Sequence, residues 1–103
     1  DSPNKVGLTT MLKTAHLAEA FRMNYEIHHS GNSLNNLANL HLALAIPNTT
    51  WFEVLLPDGA HRYALAEEFH PDKNGMLYAP TGPGLGAKID FDLIKRKTEG
   101  VLE

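Results

Sequence analysis

Asn24-Tyr25-Glu26-Ile27-His28-His29-Ser30-Gly31 is a short alternating run that ends in two histidines and a Ser-Gly break. A buried strand that carries a polar side chain to the mouth of a sheet has this form. Successive side chains on a strand face opposite ways, so His28 shares a face with Glu26 and Asn24, and His29 shares one with Ile27 and Tyr25. The Tyr-Ile face is expected to pack against helices, which leaves His28 on the polar, inward face.

Around this run the chain reads as alternating helices and strands. Pro3 and Gly7 break the first residues, which read as a strand end or the loop after it. A helix is expected from Thr9 or Thr10, with Leu8, Leu12, Ala15, Leu17, Ala18 and Phe21 as its apolar stripe. A second helix is expected over Leu34–Ile46, stopped by Pro47 and buried on most sides near its end. Thr50–Leu56 is apolar on both faces except for Glu53, as in a strand of a parallel sheet covered by helices. Beyond Pro57 the periodicity fades. A short helix is expected around Ala64–Glu68, a short strand at Met76–Ala79, a turn-rich loop at Pro80–Gly86 and a closing helix at Phe91–Thr98.

Strand ends near residues 1, 28 and 53 are spaced as in the βα units of a barrel, whose eight repeats fill about 250 residues. A doubly wound sheet fits the spacing as well. In either case the apolar strands need neighbours that the chain does not supply, and it reads as the C-terminal portion of a larger fold.

The bulk properties restrict function. At 103 residues there is room for one domain. Nine basic residues scattered among twelve acidic ones, with a net charge of −3, argue against nucleic acid or an anionic membrane as partner. No apolar run is long enough for a bilayer and no signal peptide pattern is present. The absence of cysteine excludes a disulfide framework and suits a reducing cytoplasm.

Three polar residues end the three strands: Asp1, His28 and Glu53. Strand ends at the C-terminal rim of a parallel barrel converge on the active site. A carboxylate beside an imidazole orients the ring and makes it a general base. Glu53 lies between Phe52 and Val54, where desolvation favours the protonated form, and a neutral acid there donates to a developing oxyanion. The plainer readings stand beside these: a strand-end Asp as a cap, a lone Glu as the partner of a Lys.

Asp1-Ser2-Pro3-Asn4-Lys5-Val6-Gly7-Leu8-Thr9 resembles the stretch after the sixth barrel strand in the mandelate racemase branch of the enolase superfamily, with Val6 in place of the first glycine of a Gly-Gly pair. Leu17-Ala18-Glu19-Ala20-Phe21 is similar to the helix that follows, and the interval from Asp1 to His28 agrees with the family's Asp–His dyad. Ala45-Ile46-Pro47-Asn48 before Trp51-Phe52-Glu53 resembles the approach to the eighth-strand glutamate, with a longer interval from His28 than in mandelate racemase. Gly82-Pro83-Gly84-Leu85-Gly86 followed by Asp90 resembles the C-terminal signature.

The resemblance implies a (β/α)-barrel with an α+β capping domain, residues 1–57 forming the last barrel units and 58–103 returning toward the cap. It implies Mg²⁺-assisted abstraction of the proton α to a carboxylate, giving an enediolate. His28 is then the base, Asp1 its partner and Glu53 the donor to the substrate. The Mg²⁺ ligands and the opposing lysines belong to earlier strands, so no metal ligand is expected in this chain.

Other signals are set aside. Gly82–Ala87 fits a dinucleotide-loop pattern, but no convincing strand precedes it and Pro83 stiffens it. The six histidines make no zinc spacing. His41, inside an apolar helix, reads as a satisfied core residue, and His16, His61 and His70 as surface or loop residues. His29 and Asn32 are candidates for binding a polar substrate; packing behind the strand and capping the second helix are their structural alternatives.

The reading that follows is part of a Mg²⁺-dependent lyase, an acid-sugar dehydratase. Its small-molecule partner is a carboxylate sugar acid, and its macromolecular partner is the rest of the barrel and cap. A racemase or epimerase is the alternative within the family, and a non-catalytic barrel module the alternative outside it. Oligomeric state is left open, with a homo-oligomer compatible.

Overall fold

The computed structural model describes residues 3–28, 31–57, 59 and 63–101. Helix α1 (Pro3–Ala20) opens on a proline, whose missing N–H costs nothing in a first turn. Gly7 interrupts it with φ 73° and ψ 162°, a backbone conformation reserved for glycine. Where a loop or strand end was expected, the described residues ahead of that kink form a helical turn. The far end closes in a Schellman motif: Met23 N–H donates to the Ala18 carbonyl at 2.9 Å, Arg22 N–H to that of Glu19 at 2.8 Å, and Arg22 takes the left-handed position at φ 57°.

Helix α2 (Ser33–Ala45) begins at Asn32, whose Oδ1 accepts the Asn35 N–H at 3.1 Å. Pro47 follows its C-cap Ile46, so the helix stops one residue before the expected end. The two helices pack together. Met11 and Ala15 of α1 meet Leu42, Ala43 and Ile46 across the buried Ile27. The apolar stripe expected on α1 is realised in its middle alone, since Leu8, Leu17 and Phe21 are exposed. The expected burial at the end of α2 is also partial: Leu42 and Ala43 are inside while Leu44 is out.

A second core forms where Leu37 and Leu40 meet Leu65, with Phe69, Leu77 and Ala87 against them. Phe52 packs on both cores and meets Phe69 edge-on, with ring centroids 6.4 Å apart. Here the expected helix at Ala64–Glu68 is absent. Ala64 has φ 88°, which no helix tolerates, and Leu65 instead forms an antiparallel bridge with Ile89. The Ala66 N–H donates to the Lys88 carbonyl and the Asp90 N–H to that of Ala64, both at 2.9 Å.

Helix α3 (Phe91–Lys97) is capped by Asp90, which accepts the Leu93 N–H at 2.8 Å. Asp92 in its first turn and Lys95, Arg96 and Lys97 in its last suit the helix dipole. Ahead of it, Gly82–Gly86 folds back on itself. A Cβ on Gly86 would stand 2.7 Å from the Pro80 carbonyl oxygen, so these glycines serve a tight turn. His41 of α2 donates from Nε2 to the Leu85 carbonyl at 2.9 Å and ties the turn to the helix.

Residues 24–28 and 50–56 are extended, but neither forms a ladder-bonded strand among the described residues, and nor does 76–79. A strand needs a neighbour's backbone; here the N–H groups of Thr50 and Trp51 are taken by a side-chain carboxylate. Among the described residues no helix is long and apolar enough to cross a membrane.

Much apolar surface is left uncovered. The chain exposes 7462 Å², where a folded monomer of this mass exposes about 5,800 Å². Trp51 is 76% exposed and Leu56 78%. Burying one such side chain is worth about 1.5–3 kcal/mol. Residues 1–103 expressed by themselves are accordingly expected to unfold in urea over a broad range and to give a poorly dispersed NMR spectrum. A sharp cooperative transition with a dispersed spectrum would contradict this.

Candidate active site

The site is built where two segments, 24–28 and 48–53, run side by side in the same direction. Alternation sorts the first as its sequence requires: Ile27 is buried and Tyr25 half-buried against the α1–α2 core, while Asn24, Glu26 and His28 point away from it. Asn48 anchors the second. Its Nδ2 donates to the carbonyls of Ala15 and Met23, each at 3.0 Å, and its own carbonyl accepts the Tyr25 N–H at 2.7 Å.

One step further on, the Glu26 carboxylate accepts the N–H groups of Thr50 and Trp51, each at 3.0 Å, and the Thr49 hydroxyl at 2.8 Å. Partial desolvation by itself would raise the Glu26 pKa. The hydrogen bonds from Trp51, Thr49 and Thr50, with a weaker one from the Asn24 amide, outweigh it and hold the carboxyl below its ordinary value. Glu26 is an ionised acceptor here.

At the end of the pair, His28 meets Glu53. Nδ1 of the ring lies 3.1 Å from Oε1 and 3.0 Å from Oε2 of the carboxylate. Two of the three strand-end residues singled out in the sequence are thus in direct contact. The side chains remain 67% and 37% exposed, so the pair is open to a ligand. Glu53 is less enclosed than its neighbours Phe52 and Val54 suggested, because alternation turns Phe52 into the cores and leaves Glu53 facing His28. A shallow concavity of about 230 Å³ is bounded by Glu26, Ile27, His28, Trp51, Phe52 and Glu53. That is smaller than a drug-sized pocket and on the scale of a small metabolite.

Were Glu53 to accept the Nδ1–H, that bond would fix the tautomer and leave the Nε2 lone pair to take a proton. Asp1, the partner expected for His28, and His29, expected to bind substrate, lie outside the described residues. Asn32 uses its Oδ1 to cap α2, the structural role weighed against substrate binding. The contribution of Glu26 escaped the sequence reading. Its signal was parity alone: a carboxylate two residues before His28 on the same face.

Among the described residues no three His, Asp or Glu side chains stand close enough together to hold a metal ion. An imidazole–carboxylate pair also lacks the near-octahedral oxygen set that Mg²⁺ demands. The residues described here do not fit the ion that the resemblance implies.

Comparison with known proteins supplies the context. The family described as Enolase C-terminal domain-like matches residues 1–93. The arabinonate dehydratase of Saccharolobus solfataricus is 31% identical over 83 residues, covering 81% of this chain and 22% of that protein. The D-xylonate dehydratase of Haloferax volcanii is 29% identical over 101 residues, covering 92% of this chain and 23% of that protein. A solved structure from Pseudovibrio sp., assigned to the mandelate racemase/muconate lactonizing enzymes, is 36% identical with a TM-score of 0.84, over 91% of this chain and 25% of that one. An enolase superfamily member from Polaromonas sp. JS666 is 27% identical with a TM-score of 0.77, over 87% and 24%. The chain spans about a quarter of the length of the proteins it matches.

Proposed function

The chain belongs to the Enolase C-terminal domain-like family, and we propose that it supplies the proton-transfer pair of an acid-sugar dehydratase. The carrying observation is the contact between His28 and Glu53, 3.0–3.1 Å apart and open to solvent. The choice of a sugar acid is supported by likeness to two proteins named as sugar-acid dehydratases.

In this reading the chain forms the last units of a (β/α)-barrel, with residues 58–103 returning toward a capping domain. The concavity beside His28 admits the Cα–H of the substrate. His28 removes the α-proton at Nε2, and the electron pair of the Cα–H bond passes into the enediolate. The β-hydroxyl then leaves, taking a proton from the imidazolium and departing as water. The resulting enol ketonises to a 2-keto-3-deoxy acid. Glu53 holds the Nδ1–H throughout and carries the charge that complements the imidazolium. Asp1 is a second carboxylate for orienting the ring, and His29 and Asn32 are contacts for substrate hydroxyls. Mg²⁺, for which the described residues offer no site, would be held by residues outside this chain and would supply electrostatic stabilisation of negative charge on the substrate.

The test is to incubate the full-length protein with Mg²⁺ and arabinonate or xylonate in D₂O, following the α-proton and the keto product by NMR. Loss of the α-proton together with a 2-keto-3-deoxy product is expected. Deuterium incorporation without loss of water would replace the dehydratase by a racemase or epimerase. Absence of both, across a panel of sugar acids, would overturn the catalytic reading.

A further inference from the structure

The His28–Glu53 contact spans two segments that no backbone ladder holds in register. Three levels tie them among the described residues: the Tyr25 N–H on the Asn48 carbonyl, the Glu26 carboxylate on residues 49–51, and the pair itself. The middle level carries the most bonds. It takes up the N–H groups of Thr50 and Trp51, and a backbone donor does not go unpaired at low cost. Glu26 precedes His28 by two residues, and Trp51 precedes Glu53 by two. A clamp at Glu26 therefore projects both functional side chains to the same side. A slip of one residue in the second segment would turn Glu53 to the opposite face.

We propose that Glu26 is a positioning residue, whose carboxylate sets the register of residues 49–53 and so brings Glu53 opposite His28. It acts through the backbone of Thr50 and Trp51 and touches no reacting atom. The kinetic arm of the test rests on the dehydratase reading; the spectroscopic arm does not.

Glu26→Ala, Glu26→Gln and Glu26→Asp are made in the full-length protein. Gln keeps the length but offers one acceptor oxygen where Glu26 uses two, and Asp keeps both oxygens but retracts them by one methylene. Misplacement of a reacting group by about 1 Å costs about 10²-fold in rate. Glu26→Ala is therefore expected to lower kcat by about that factor with KM little changed, and Gln and Asp each to recover part of the loss. A loss confined to KM would make Glu26 a direct ligand, and an unchanged kcat in all three variants would leave it no positioning role; either overturns the proposal. The Gln and Asp variants decide even where the Ala variant does not fold.

Independently, long-range ¹H–¹⁵N spectra of the His28 ring, assigned with His28→Asn, report the state of Nδ1. Glu26→Ala is expected to shift those resonances most, and Glu26→Gln and Glu26→Asp less. If the wild-type protein turns over no sugar acid and the ring still responds in this order, the dehydratase reading fails and the clamp stands. An unchanged ring in Glu26→Ala and Glu26→Asp removes the clamp whatever the activity.

Discussion

If the full-length protein turns over a sugar acid as proposed, His28→Asn is expected to lower that turnover by about 10²–10⁴-fold, the usual contribution of a positioned general base. Asparagine keeps a polar group of similar reach that still donates to Glu53. What disappears is the basic nitrogen. Binding of the substrate, measured by calorimetry in the presence of Mg²⁺, stays close to wild type, because the concavity is also bounded by Glu26, Trp51, Phe52 and Glu53. Exchange of the α-proton in D₂O falls in step with turnover. A variant that exchanges and turns over at the wild-type rate would remove His28 from the chemistry.

Glu53→Gln is the second large effect, about 10²–10³-fold on kcat, the scale on which single stabilising groups at a site of developing charge are lost. The amide is isosteric and still accepts from Nδ1, so the ring keeps its place. It no longer carries the charge that complements an imidazolium, and KM moves less than kcat. Glu53→Ala goes further, since it also removes the acceptor that fixes the tautomer. If Gln and Ala lose equally, the charge is what matters; if Gln retains full kcat, Glu53 is a bystander in the contact seen at 3.0 Å.

Both residues were legible in the sequence for local reasons. His28 ends an alternating run in which Ile27 and Tyr25 turn inward, and that parity is the one observed. Glu53 is a single carboxylate in a six-residue apolar stretch. The cap of α2 was equally local, an Asn three residues before the N–H it binds, whereas Asp90, read only as part of the C-terminal signature, plays the same part at α3. What stayed hidden depends on distant partners. Glu26 reaches across 24 residues to the Thr50 N–H, and nothing in its neighbourhood announces the destination. The strands at 24–28 and 50–56 were read from apolar content, but hydrogen-bonded pairing is a property of two segments and cannot be inferred from one. Ala64–Glu68 read as a helix from composition, whereas its pairing with residues 88–90 decided otherwise. The stripe expected on α1 was periodic throughout, yet Leu17 and Phe21 are left exposed among the described residues.

The bond from His41 to the Leu85 carbonyl has a bearing on how the chain is made. A ribosome adds about 5–20 residues per second, so α2 leaves it several seconds before the glycine turn that satisfies His41 exists. During that interval the helix carries an unsecured imidazole and an uncovered flank, and the turn, arriving late, acts as a latch. A premature stop between residues 54 and 85 would leave both helices and the His28–Glu53 pair encoded while deleting the latch. Such a product would look nearly intact by inventory of its functional residues and still be an assembly that was never fastened.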